Sequence, residues 1–104
     1  MLLIMLISSI SAYGQSSNEV RKYLVSIGCK YPDIVTSQAI LETGHFKSYG
    51  CRERNNLFGL WNHSRQKFYE FDSWRDSCDA YLRMVQYKYK GGDYYVFLSE
   101  MGYA

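Results

Sequence analysis

Residues 32–46 read Pro-Asp-Ile-Val-Thr-Ser-Gln-Ala-Ile-Leu-Glu-Thr-Gly-His-Phe, and their reading decides the fold. Pro32 suits the first turn of a helix, where its missing N–H would have no partner. Ile34, Val35, Ala39, Ile40 and Leu41 supply the apolar side chains, and Gly44 is the stop signal. A helix with a marked start and stop therefore ends on a carboxylate, Glu42. That is the wrong end for a negative charge, because the helix dipole disfavours it there by ~0.3–1 kcal/mol. Glu42 also follows Val35 by seven residues and Ala39 by three, so it borders an apolar face. Both effects disfavour ionisation and raise its pKa. A carboxyl group that holds its proton near neutral pH is what a glycosidase uses as general acid. The plain alternative is an exposed glutamate closing an ordinary helix.

Outward from this helix the chain reads as more helices around one hairpin. Ser16 and Glu19 have capping-box spacing, and Val20, Tyr23, Leu24 and Ile27 follow on one face before Gly28. Residues 55–61 and 67–71 are apolar or aromatic, and the polar stretch 62–66 between them predicts a hairpin. Along 67–71 a strand would place Phe68, Glu70 and Asp72 opposite Tyr69 and Phe71. Ser73 and Asp76 begin a third helix whose stripe is Trp74, Cys78, Tyr81, Leu82, Val85 and Tyr89, closed by Gly91 and Gly92. Asp93 caps a last short helix carrying Tyr94, Phe97, Leu98 and Met101. The fold class is mainly α (α+β), in one domain, as 104 residues allow.

Composition narrows the function. The net charge is +2, from 12 Lys+Arg against 10 Asp+Glu, and no dense basic run is present, so nucleic acid is not an expected partner. The outlier is 11 Tyr with 5 Phe and 2 Trp. Such side chains join an apolar face to a polar tip and suit core edges and sugar-binding grooves alike. Residues 1–10 form an apolar run too short to span a bilayer, followed by small residues at Ala12 and Gly14. The expectation is a signal peptide over residues 1–14 and a mature domain over 15–104, exported to the periplasm, cell envelope or medium. No positive charge precedes the run. Cys29 and Cys51 bracket a helix of about twelve residues, which would hold them ~15–20 Å apart, beyond the ~7 Å that a disulfide tolerates. No Cys/His spacing suits zinc, so neither metal nor cofactor is expected.

Two blocks of this sequence carry a family resemblance. Gln38-Ala39-Ile40-Leu41-Glu42-Thr43-Gly44 is followed by Asn55-Asn56-Leu57-Phe58-Gly59-Leu60. Together they resemble the Q-A-x-L-E-[ST]-G and N-N-L-F-G-[IL] blocks of the bacterial glucosaminidase domain of flagellar muramidases and autolysins, a lysozyme-like fold. The likeness continues through residues 68–74 and reaches Gly102-Tyr103-Ala104, similar to the family's G-Y-A segment. The resemblance implies hydrolysis of the β-1,4 bond after N-acetylglucosamine in peptidoglycan glycan strands, by a monomer that does not reside in a membrane. It matches Glu42 to the catalytic acid and places Asn55, Asn56, Phe58 and Gly59 beside the cleft. Asn amides can grip N-acetyl groups, and Phe58 or Trp61 can stack on a sugar; turn chemistry and core packing are the competing uses.

Two departures accompany the likeness. Many members carry a second acid in a longer hairpin after N-N-L-F-G, whereas residues 62–67 here contain none. Glu70, the next carboxylate, aligns with an ordinarily apolar position and is not expected to be an essential second catalyst. Members also usually continue past G-Y-A to another tyrosine near the cleft. The alternatives are a glycan-binding remnant that no longer cuts, and a lytic transglycosylase or muramidase using the same glutamate.

Overall fold

The computed structural model describes residues 15–103, so the apolar run and its expected cleavage point after Gly14 lie outside the described residues. The elements are α1 (Ser17–Ser26), α2 (Pro32–Thr43), α3 (Tyr49–Arg54), β1 (Trp61–Asn62), β2 (Lys67–Phe68), α4 (Trp74–Met84), a 3-10 turn (Gln86–Lys88) and α5 (Tyr94–Glu100). This is the mainly helical class with one antiparallel hairpin that the sequence predicts. Among the described residues no helix is long and apolar enough to cross a membrane.

The caps read at Ser16, Glu19 and Asp93 are made, whereas Ser73, at the start of α4, makes no side-chain cap bond. Ser16 Oγ accepts from Glu19 N at 3.2 Å, and Glu19 Oε1 accepts from Ser16 N at 3.0 Å. Asp93 Oδ1 accepts from Tyr95 N at 2.8 Å and Val96 N at 3.3 Å, opening α5. Helix α2 starts on Pro32 and ends on Gly44 at φ 56°, the left-handed geometry that glycine adopts without a Cβ penalty. Thr43 reinforces that end: its hydroxyl donates to Ala39 O at 2.7 Å and accepts from Phe46 N at 2.7 Å. His45 and Phe46 follow at φ 62° and 66°. Left-handed backbone is costly for such side chains, and the burial of Phe46 against the core offsets it.

Three boundaries differ from the sequence reading. Helix α3 is unanticipated; its six residues include a glycine and three charges and show no apolar period, and Ser48 Oγ caps it by accepting from Cys51 N at 3.1 Å. The expected strand over 55–61 is mostly a loop, and only Trp61↔Phe68 and Asn62↔Lys67 pair. The reason is Asn55, which ends α3 at φ 54° and turns the chain back on itself. Helix α4 stops at Met84 rather than near Tyr89. Gln86 is drawn away from helical continuation by the Lys30 backbone, whose N–H it accepts at 2.8 Å and whose carbonyl it meets at 3.0 Å. Val85 and Tyr89 still reach the core. The alternation along 67–71 holds: Tyr69 and Phe71 pack on the core, while Phe68 and Glu70 face solvent.

The core lies between α1, α2, α4 and the 56–60 loop. Val20, Leu24, Val35, Ala39, Leu57, Phe58, Cys78 and Tyr81 have no exposed surface. Through it runs a directed polar chain. Tyr81 has one hydrogen and donates it to Gln38 Oε1 at 3.0 Å, so the 2.8 Å contact between the Tyr81 and Tyr94 hydroxyls must be donated by Tyr94. Gln86 Nε2 donates in turn to Tyr94 at 2.8 Å. All three cysteines are free and buried. Burial pushes the Cys29 thiol up to about 11 and the Cys78 thiol up to about 12, so both stay protonated and poorly nucleophilic.

Candidate active site

Glu42 projects from the last turn of α2, just before the Gly44 stop. The residue as a whole is exposed, yet its carboxyl lies against the backbone of Gly59: a Cβ there would stand 3.7 Å from Oε2. Such a Cβ would make ordinary van der Waals contact; it is the backbone of Gly59, at φ +61°, that favours glycine. Desolvation raises the Glu42 pKa. The negative end of α2 acts in the same direction.

The carboxyl opens into a hollow of about 260 Å³, lined also by Ser48, Arg54, Asn56, Gly59 and Phe68. A second hollow of about 370 Å³ shares Arg54 and Phe68 with it and continues to Tyr49, Trp61 and Glu70. Together they form a groove running from the end of α2 to the hairpin. Glu42 is the one carboxylate lining the first hollow. Glu70 lines the second, exposed, with Lys67 Nζ 3.9 Å away. Two larger hollows, of about 580 and 570 Å³, are not lined by Glu42, so size alone does not locate the groove.

The residues singled out in sequence have different fates. Glu42, Asn56 and Gly59 line the first hollow and Trp61 the second. Trp61 keeps 36% of its surface exposed and meets Phe68 edge-on with centroids 4.9 Å apart, leaving an aromatic face for a ligand. Asn56 is buried and its amide is committed to the backbone. Nδ2 donates to Leu60 O and Tyr69 O, each at 3.0 Å, and Oδ1 accepts from Leu60 N at 3.0 Å. Asn55 lines neither hollow, and its Nδ2 donates to Phe71 O at 2.9 Å. Phe58 corrects the expectation of sugar stacking. It has no exposed surface, because the turn at Gly59 directs its ring inward onto Tyr81, 4.4 Å away.

Two neighbours of Glu42 were not singled out. The Tyr103 hydroxyl donates to Phe58 O at 2.9 Å, tying the end of the described chain to the loop under Glu42. Burial, and next the Glu42 charge, hold that phenol well above its ordinary pKa. Gln38 lies one helical turn before Glu42 and is 95% buried by its 5% exposure; its Nε2 has no hydrogen-bond partner. The G-Y-A match was the sequence signal for Tyr103, and the four-residue spacing from Glu42 was the signal for Gln38. The site thus joins a partly desolvated carboxyl, a rigid polar floor and an exposed aromatic rim. Such a carboxyl can deliver a proton to an ether oxygen of a ligand lying along the rim.

A protein-family model, Glucosaminidase, described as mannosyl-glycoprotein endo-beta-N-acetylglucosaminidase, matches residues 17–104. The chain matches no curated protein and no solved structure.

Proposed function

This chain belongs to the Glucosaminidase family, and we propose that it hydrolyses the β-1,4 bond after N-acetylglucosamine in peptidoglycan, with Glu42 as general acid. The observation that carries this reading is the Glu42 carboxyl: its pKa is raised by desolvation, and it sits over Gly59 at one end of a groove rimmed by exposed aromatic rings. The protonated carboxyl gives its hydrogen to the glycosidic oxygen as the C1–O bond breaks with its electron pair on that oxygen. The oxocarbenium-like carbon then needs a nucleophile. Because Glu42 is the one carboxylate lining its hollow, the substrate's own 2-acetamido oxygen fills that role better than a protein group. Water opens the resulting ring and returns a proton to Glu42. In this reading the domain acts outside the cytoplasm after residues 1–14 are removed, as a monomer on glycan strands.

The same lone carboxylate is what favours a second reading, a groove that grips glycan without cutting it. Digestion of purified sacculi, with the fragments' new reducing ends identified by mass spectrometry, separates the two. N-acetylglucosamine ends are the expected result. Muramic-acid or 1,6-anhydro ends would contradict the proposed bond, and binding with no release would favour the second reading.

A further inference from the structure

Arg54 is the one cation that lines both hollows of the groove; Lys67 lines only the second, and Arg75, which also lies over two rings, Tyr23 and Trp74, lines neither. It is the last residue of α3, where a positive charge suits the helix dipole. Arg52, at the same helix end, meets that need while facing solvent. The Arg54 guanidinium instead folds back over Gly50, where a Cβ would stand 3.5 Å from Nη1. There it lies between two rings, 4.7 Å from the centroid of Tyr49 and 5.3 Å from that of Phe68. Its backbone is pinned as well, since Arg54 O accepts from Phe71 N at 2.8 Å. Among the described residues it makes no ion pair; the two pairs present are Arg21–Asp33 and Lys67–Glu70. Glu70 shares the second hollow with Arg54, and Lys67 is its partner there.

A guanidinium held by aromatic rings presents its N–H edge in a fixed plane, which matches the two oxygens of a carboxylate. Arg54 lines both hollows, so an anion bound to it lies in the same groove as Glu42. A neutral N-acetylglucosamine chain offers nothing for this charge. We infer that Arg54 is a specificity-determining residue that binds a carboxylate of an acidic glycan strand and so selects acid-bearing amino sugars over neutral ones. The inference rests on the glycan groove of the proposed function, and it does not depend on turnover. The carboxylate has two sources: the lactyl group of a muramic unit, which is free when the peptide is absent, and the acids of the stem peptide when it is present.

The test is equilibrium binding by the intact protein of three probes: neutral N-acetylglucosamine oligomers, peptide-stripped glycan strands, and peptide-bearing strands. Arg54→Met keeps the apolar stem and removes the charge, and Arg54→Lys keeps the charge without the fork; melting curves accompany both. The wild type is expected to prefer an acidic probe. Arg54→Met should weaken that probe roughly tenfold or more and leave the neutral oligomers within about twofold. Arg54→Lys should fall between, with the affinity for acidic strands declining as salt rises. Arg54-dependent binding of stripped strands assigns the lactyl carboxylate, and of peptide-bearing strands the stem acids. Equal weakening of neutral and acidic probes, or no acidic preference in the wild type, overturns the inference. A protein that cuts nothing yet discriminates through Arg54 would overturn hydrolysis and leave this inference standing. Binding to none of the probes would overturn both.

Discussion

Phe58 and Trp61 are three residues apart, and they stand for two regions built from one short stretch of chain. The floor, residues 56–60, is closed: Phe58 has 0% of its surface exposed, and Asn56 has both N–H donors and one acceptor position of its amide taken by backbone. The rim, made by Tyr49, Trp61 and Phe68, leaves those residues 67%, 36% and 40% exposed. What separates them is backbone direction rather than residue type. The turn at Gly59 sends one aromatic into the core and releases the next to solvent. Polar and aromatic groups in the floor serve to hold a shape. Similar groups on the rim have unsatisfied faces and are free to serve a ligand.

Substitutions can break or sharpen this contrast. The largest effect on folding is expected at Asn56. Asn56→Ala strands the N–H of Leu60 and the carbonyl of Tyr69, while the Leu60 carbonyl keeps the Tyr69 N–H; the cost is about 1–3 kcal/mol for buried partners left unpaired. Chemical denaturation should show the loss, while glycan affinity of the protein that remains folded should change little. Weakened affinity with an unchanged midpoint would move Asn56 from floor to rim. Trp61→Ala should do the opposite, lowering glycan affinity roughly tenfold while shifting the midpoint by only ~0.5 kcal/mol, as for other surface changes. A collapse of stability would erase the distinction between the regions.

The smallest effect concerns the charge between them. Desolvation raises the folded-state pKa of Glu42, so the native protein holds this proton at pH values where the unfolded chain has released it. Ionised Glu42 therefore works against folding. Stability from the neutral form is present below the unfolded pKa and is lost as pH rises through the raised folded value. Thermal melts of Glu42→Gln should match wild type at low pH and exceed it slightly above that window. A variant less stable than wild type at neutral pH would mean that the carboxylate makes a favourable contact.

The sequence made the helices legible where their ends carry side-chain signals. The Ser16–Glu19 box, Pro32, Gly44 and Asp93 all act as read, since each effect depends on a few adjacent residues. Helix α3 was hidden because six residues with little apolar pattern are held by a cap and by tertiary contacts. The floor was hidden for a related reason. The short apolar stretch at 55–61, before a polar turn and a second aromatic run, suggests a strand, but the Asn56 side chain supplies ladder-like bonds from within a loop. Of the site, the position of Glu42 at a helix end was legible. The contacts of Arg54, Gln38 and Tyr103 span 14, 43 and 45 residues, so motif and spacing could mark Gln38 and Tyr103 but not their partners, and Arg54 carried no local signal.

The central claim is that Glu42 donates the proton that breaks the glycan. Turnover of purified sacculi by wild type and by Glu42→Gln, measured side by side with matched melting curves, tests it most directly. Glutamine keeps the shape and cannot act as the acid, so the account predicts a loss of at least about a hundredfold in rate with the fold intact. Turnover by Glu42→Gln at the wild-type rate would contradict it.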